Sequence, residues 1–198
     1  MTLLLLGLVL FFAVHTVPML PTLRASVLAK TGRGAYMGLF SLVSLLGLIL
    51  IVIGYGDLRT AGAANPELWA PPTWIRHLVF LLMLVSFILL AAAYVPSRIR
   101  DAVGHPMLAA IKVWAFSHLL ANGDLASVLL FGSFLAFAVI DRISVKRRAP
   151  EAAVRGPLGD RTGGLAGDLT VVAVGVGAYV VMMMFGHDWL IGIPLINA

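Results

Sequence analysis

Six apolar runs make up most of this chain, and each is long enough or almost long enough to cross a membrane. A transmembrane helix needs about 20 mainly apolar residues, with roughly 17–25 usual. Because the runs show no alternation of polar and apolar residues, they predict helices and not the strands of an outer-membrane barrel. We therefore predict an all-α, polytopic membrane bundle of six transmembrane helices. The predicted spans are Thr2–Leu20, Tyr36–Gly56, His77–Val95, Pro106–Ala121, Leu125–Ile140 and Leu169–Phe185.

The composition favours a protein embedded in a lipid bilayer. Of the 198 residues, 61% are hydrophobic and only 12% are charged, whereas soluble domains are about half apolar and about a quarter charged. The net charge of +5 suits contact with anionic lipid and does not indicate a nucleic-acid partner. The sequence contains no cysteine, which excludes disulfides, thiolate nucleophiles and Cys-ligated zinc or iron–sulfur centres.

The distribution of basic residues predicts the orientation of the bundle, because loops rich in Lys and Arg face the cytoplasm. The first, third and fifth loops are basic, the second is mixed and the fourth has no basic residue. Both termini are therefore predicted on the non-cytoplasmic side of the membrane. We treat residues 1–198 as a single domain, in which the stretch 144–168 is a flexible cytoplasmic linker before the last helix. The basic residues of the three loops are Arg24, Lys30, Arg33, Arg98, Arg100, Arg142, Lys146, Arg147, Arg148, Arg155 and Arg161.

Two histidines, His15 and His118, lie inside apolar runs. An ionisable side chain in hydrocarbon is costly and indicates a functional site. One interpretation is a hydrogen bond between helices. The other is ligation of a metal or haem, in which one ring nitrogen binds the iron and the other donates to an acceptor behind it. Two histidines on separate helices of a bundle can hold a haem between them.

Lys112 and Trp114 share the apolar run of His118. Lys112 lies about six residues into the predicted span, so its ammonium can either reach the membrane surface or pair with an anionic ligand such as a haem propionate. Trp114 and His118 are four positions apart and therefore share a helix face. The indole can form a wall for a flat ligand, or it can serve only as packing.

The other three histidines stand at the ends of apolar runs. His77 and His187 lie close to tryptophans at the predicted outer surface, which is typical of interfacial residues. His105 precedes Pro106, a residue favoured in the first turn of a helix. All three histidines remain candidate ligands.

The fourth and fifth predicted spans are joined by Asn122-Gly123-Asp124, which is the signature of a tight turn. Asp124 is predicted to cap the fifth helix. If this polar turn lies at membrane depth, other parts of the protein or water must cover it.

Three segments of the chain carry a family pattern. The first holds His15 and the residues 23–24 and 33–36, the second is Gly104–Asp124, and the third is Gly186–Pro194. In these segments the chain resembles the NnrU family, and together with the span pattern the resemblance covers nearly the whole sequence. Gly104 stands where the family pattern has an arginine. The resemblance implies an integral membrane protein linked to denitrification and nitric-oxide metabolism in bacteria.

The NnrU family is similar to plant and cyanobacterial 15-cis-zeta-carotene isomerase, a membrane enzyme with haem b. By motif position, the resemblance implies that His15 and His118 are the axial ligands of a haem b. Lys112 and Trp114 then become candidates for the cofactor-binding site. Ala115 stands where the isomerase has a cysteine three residues before the second ligand. An exchange from His to Cys ligation is therefore impossible in this chain.

Simple helix geometry leaves the ligand pair open. At about 1.5 Å per residue, His118 lies roughly 18 Å above the inner face and His15 roughly 8–14 Å above it. Two axial nitrogens on one iron are only about 4 Å apart. If the helices tilt, or if the fourth span starts later, His15 and His118 reach the same height and can bind one iron. Otherwise His118 pairs with His187 or His77.

The sequence thus predicts a haem-binding membrane protein that performs redox, gas-linked or isomerase-like chemistry on an apolar small molecule. One alternative is a non-catalytic accessory protein that matures or regulates denitrification enzymes. Another is a small membrane methyltransferase, because His105-Pro106 at a helix start is similar to the isoprenylcysteine methyltransferase group. Whether the chain is an enzyme stays open.

Overall fold

The computed structural model describes residues 1–60, 62–148 and 162–195, and within them it is almost entirely helical. Prolines set several helix boundaries, since a proline fits the first turn of a helix and disrupts its interior. Pro18 ends the first helix in a short 3-10 turn, and Pro21 and Pro106 each begin a new helix. The helices are α1 (Thr2–Thr16), α2 (Pro21–Arg59), α3 (Ile75–Ala92), α4 (Arg98–Val103), α5 (Pro106–Ala121), α6 (Leu125–Arg148), α7 (Leu165–Val181) and α8 (His187–Ile191).

The described residues include five helical stretches that are long and apolar enough to cross a membrane, and a helical membrane bundle is therefore confirmed. The predicted fourth span is the helix α5, which has the predicted bounds but only 16 residues. The five longer stretches are Thr2–Met19, Pro21–Arg59, Ile75–Ala92, Leu125–Arg147 and Leu165–Ile191.

The helix α2 begins 15 residues before the predicted span Tyr36–Gly56 and contains a break. Its 39 residues would measure about 58 Å as one straight helix, roughly twice the hydrocarbon thickness of a bilayer. Gly32 interrupts it with φ 74° and ψ 164°, a conformation open essentially to glycine alone. The break lies between Lys30 and Arg33, just before the apolar part of the helix.

The predicted linker 144–168 differs from the structure at both of its ends. Residues 144–148 continue α6, and Leu165–Asp168 form the first turn of α7. Charged residues and glycine predict a linker, but a helix tolerates them where it leaves the membrane. Residues 149–161 of this linker lie outside the described residues.

The chain divides into two compact units, of which the first comprises Met1–Ala70 and Gly123–Ser133. In this unit α1 packs closely against α2 through glycines. A Cβ atom added to Gly7 would lie 2.6 Å from the backbone nitrogen of Ile51, and one added to Gly47 would lie 2.8 Å from the backbone nitrogen of Phe11. Small residues allow such close approach of helices in a membrane, where apolar surface alone gives little driving force.

The second unit comprises Pro71–Asn122 and Phe134–Ala198, and α3 packs there against α5 and α7. The buried Ser86 hydroxyl of α3 donates to the Ala110 carbonyl of α5 at 2.9 Å. A Cβ atom added to Gly175 of α7 would lie 2.6 Å from the Ile88 Cα atom. Ser86 thus bonds α3 to α5, and Gly175 allows α7 to approach α3 closely.

Candidate functional site

His15 lies in the last turn of α1, in the first unit, with its ring among aromatic side chains. The His15 Nδ1 atom is 2.7 Å from the Phe11 carbonyl oxygen one turn earlier. Its ring stacks on Phe11 at 4.1 Å and lies 5.0 Å from the ring of Phe40. Because a carbonyl can only accept, Nδ1 carries the hydrogen and the lone pair of the neutral ring is on Nε2.

His118 lies in the last turn of α5, in the second unit, and has the same local arrangement. Its Nδ1 atom is 2.9 Å from the Trp114 carbonyl oxygen, again one turn earlier. The Trp114 ring lies 5.3 Å from the His118 ring, and Phe134 of α6 meets the indole edge to face at 5.4 Å. Trp114 therefore supplies both the hydrogen-bond acceptor and an aromatic wall for His118.

His187 lies close enough to His118 for the two rings to interact electrostatically. His187 follows the π-helical turn Met182–Gly186 directly, a distortion that is frequent at functional sites. Its Nδ1 atom is 2.8 Å from the Ile193 carbonyl oxygen. His77, also in the second unit, is exposed and its Nδ1 atom is 3.3 Å from the Trp74 carbonyl oxygen. His118, His187 and His77 thus all lie in the second unit.

Lys112 is half-buried in the second turn of α5, and its charge acts on His105 at the start of that helix. Burial and the positive charge of Arg142 on α6 lower the pKa of His105, while Asp141 opposes them. Lys112 of α5 and Arg142 of α6 thus both act electrostatically on His105.

A second polar cluster, in the first unit, surrounds Asp124. The Asp124 carboxylate caps α6, as predicted, by accepting a 2.9 Å hydrogen bond from the Ser127 amide. It also accepts from the Ser127 hydroxyl at 2.6 Å and from Asn65 Nδ2 at 2.9 Å. Tyr55 extends the cluster through a 2.9 Å hydrogen bond between its hydroxyl and that of Ser127.

The loop before α3 covers the polar turn before α6. Asn65 Oδ1 accepts from the Ala126 amide at 2.8 Å, and the Gly123 carbonyl accepts from the Leu68 amide at 2.7 Å. A Cβ atom on Gly123 would collide with the Trp69 carbonyl. The sequence analysis did not identify Asn65, although Asn65-Pro66 is a turn signal.

The residues that the structure describes contain no group of three or more His, Asp or Glu side chains placed to hold a metal ion. A haem needs only one or two protein ligands, so this finding does not bear on haem binding. The hydrogen bonds of the His15 and His118 rings are therefore the observations that bear on a haem.

These apolar helices define the chain as a multi-pass helical membrane protein. The family model described as NnrU protein matches residues 3–195, and the chain belongs to the NnrU family. No curated protein and no solved structure matches it.

Proposed function

We propose that this NnrU-family membrane protein binds haem b through histidine side chains, for which His118 and His15 are the candidate ligands. The supporting observation is that each imidazole donates from Nδ1 to a backbone carbonyl of its own helix. Iron-binding histidines commonly have such an acceptor behind them, because it fixes the tautomer and makes the other nitrogen a better ligand. Both Nε2 lone pairs are then suited to iron.

The surroundings of both rings also suit a flat, apolar cofactor. Phe11 and Phe40 lie against His15, and Trp114 lies against His118. Aromatic faces can stack on a macrocycle at little cost in conformational entropy. Lys112, six positions before His118, can pair with a propionate at the membrane surface. Bound haem would supply one-electron redox chemistry.

If His15 and His118 both held the haem, chemistry on a substrate at the iron would require one of the two histidines to leave. Alanine at position 115 removes the cysteine that could replace a histidine. The function consistent with these residues is electron transfer, or nitric-oxide-linked or isomerase-like chemistry on an apolar molecule, in the bacterial inner membrane. A link to denitrification follows from the family resemblance.

The test is the absorption spectrum of protein purified in detergent and supplied with haem. We expect a Soret band in the wild type, a shifted or weakened band in His15→Ala, and the largest loss in His118→Ala. His77 is exposed, so His77→Ala should leave the spectrum unchanged, and a loss of the band in this variant would identify His77 as a ligand. His187→Ala decides whether His187 replaces His15 as the second ligand.

If His187→Ala loses the Soret band and His15→Ala keeps it, then His187, and not His15, is the second ligand of the haem. A folded, colourless wild type would contradict haem binding altogether and favour the non-catalytic accessory role. Circular dichroism of each variant separates loss of haem from loss of fold.

A further inference from the structure

The first part of α2, residues 21–31, is a short helix with non-helical backbone at both of its ends. Leu20 precedes it with φ −112° and ψ 86°, and Gly32 follows it with φ 74° and ψ 164°. Neither residue continues the helical path, so the chain can change direction on each side. We call this segment the basic helix, because it contains Arg24 and Lys30 and no acidic residue.

The packing of α1 against the rest of α2 sets the depth of the two ends of the basic helix. The two packed helices run antiparallel, as their glycine contacts show, and the His15 ring lies 5.0 Å from the Phe40 ring. At about 1.5 Å per residue, Leu20 lies about 7 Å beyond the level of His15, and Gly32 lies about 12 Å beyond the level of Phe40. The two ends of the basic helix therefore differ by only about 5 Å in depth.

The basic helix is too long to fit this difference in depth while it runs parallel to α1. Its 11 residues measure about 16 Å, so a rod with ends about 5 Å apart in depth lies at roughly 20° to the membrane plane. The apolar part of α2 begins near Tyr36, about 6 Å along the chain axis from Gly32. The basic helix therefore lies along the membrane surface, close to the level where the hydrocarbon ends.

The side chains of the basic helix suit the surface of an anionic bilayer. Nine of its 11 residues are exposed, Arg24 and Lys30 among them, and the other two are half-buried. The apolar side chain of Leu23 is 45% exposed. Residues 1–56 contain no acidic side chain that could balance the two basic ones. A helix in the plane of the interface binds lipid through exposed apolar and basic side chains together.

We infer that the basic helix lies in the membrane surface and binds the headgroups of anionic glycerophospholipids. Leu23 inserts among the acyl chains, while Arg24 and Lys30 extend their charged ends to the level of the phosphates. This surface goes beyond the proposed haem function. It holds the connection between α1 and α2 against the bilayer.

The experiment measures how deeply the basic helix lies in a bilayer, with the full chain in lipid nanodiscs that contain phosphatidylglycerol. The chain contains no cysteine, so a spin label can be attached to one introduced cysteine. Leu23→Cys and Ala25→Cys place the label on opposite faces, because two helical positions are about 200° apart. If Leu23→Cys does not fold, Leu20→Cys replaces it, because Leu20 is 52% exposed directly before the helix.

Power saturation of the electron paramagnetic resonance signal compares two collision partners of the label. Oxygen is enriched in lipid, and a nickel chelate stays in water. The label at position 23 should collide more with oxygen, and the label at position 25 should collide more with the nickel chelate. Such a difference between two neighbouring positions is expected only of a helix that lies in the interface.

The charge of the lipid tests the role of the two basic side chains. Nanodiscs of phosphatidylcholine alone should lower the ratio of immobilised to mobile label at position 23. Arg24→Gln should lower this ratio about fivefold in the presence of phosphatidylglycerol, and the additional change Lys30→Gln should lower it further. Arg59→Gln is the matched control, because Arg59 is exposed at the other end of α2. It should keep the ratio of the unchanged helix.

Full exposure of both labels to the nickel chelate would overturn the inference, because the basic helix would then project into water. Protection of both labels from the chelate would also overturn it, because the helix would then be immersed in hydrocarbon or protein. An equal ratio in the two lipids, or an equal fall in Arg24→Gln and Arg59→Gln, would exclude binding of anionic headgroups by this helix. None of these results depends on whether haem binds.

Discussion

Asn65 and Asp124 are 59 positions apart in the sequence, and the Asn65 Nδ2 atom donates a 2.9 Å hydrogen bond to Asp124 Oδ1. The same asparagine accepts from the Ala126 amide through its Oδ1 atom. One side chain thus satisfies both a carboxylate and a helix-start amide. Through these two hydrogen bonds, Asn65 pairs with polar groups of the turn before α6 and shields them from lipid.

Asn65→Ala should lower the stability of the protein in detergent by about 1–3 kcal/mol, because it leaves the Ala126 amide unpaired and weakens the cap of α6. Thermal unfolding followed by circular dichroism measures the change. Thr60→Ala is the control, because the Thr60 hydroxyl is exposed and bonds only locally to the Asp57 carbonyl at 3.2 Å. Equal Tm values for the two variants would show that the Asn65 contacts contribute little.

Acid should weaken this cluster through Asp124. Burial raises the pKa of Asp124, but hydrogen bonds from Ser127 and Asn65 outweigh burial and hold its pKa below the ordinary value. A carboxyl group with a lowered native pKa adds stability at a pH above its unfolded pKa of about 3.9. This stability is lost as the pH falls from about 5 through the native pKa.

The Tm difference between the wild type and Asp124→Asn measures the contribution of that carboxylate. The difference should be largest at pH 7 and should shrink as the pH approaches 3. Other carboxylates affect both proteins equally, so the comparison isolates Asp124. A difference that is constant over this range would contradict the assignment.

The contact of α1 with α2 predicts opposite effects of alanine at two glycines of one helix. A Cβ atom on Gly54 would collide with the backbone nitrogen of Leu4, whereas one on Gly38 meets nothing within 4 Å. Gly54→Ala should therefore destabilise the protein by about 1–3 kcal/mol. Gly38→Ala should stabilise it by about 0.5–1 kcal/mol through helix propensity. Denaturation in mixed micelles measures both, and the same sign for the two variants would refute this packing.

Gly104 ends α4 with φ 75°, and its amide donates to the Arg100 carbonyl at 2.9 Å. A side chain at this backbone conformation costs about 1–2 kcal/mol. Gly104→Arg, which introduces the residue of the family pattern, should therefore lower the Tm. Gly164→Ala is the control, because Gly164 has φ −124° and open space around it. An unchanged or raised Tm in Gly104→Arg would show that the loop adapts without strain.

Apolar length and the Asn122-Gly123-Asp124 turn were sufficient to predict the helical membrane fold, including the short α5. The sequence did not predict the break at Gly32. Glycine also occurs within unbroken transmembrane helices, as Gly175 does in α7, so a glycine alone does not indicate a break. Prolines gave more reliable boundaries, because the missing amide and the fixed φ act locally.

The candidate site could be predicted only in part. Burial in an apolar run identified His15 and His118, but the acceptor behind each ring is a backbone carbonyl that any sequence provides. The contacts of Asn65 depend on chain segments that are far apart in sequence. No local pattern encodes such contacts, and the structure was needed to find them.

The electron paramagnetic resonance spectrum of the haem-supplied ferric protein tests the central claim most directly. Two imidazole ligands predict a low-spin ferric signal in the wild type. His15→Ala should convert it to a high-spin signal with the iron still bound, and His118→Ala should do so or lose the haem. A low-spin spectrum unchanged in both variants, or a folded wild type that takes up no haem, would contradict the assignment.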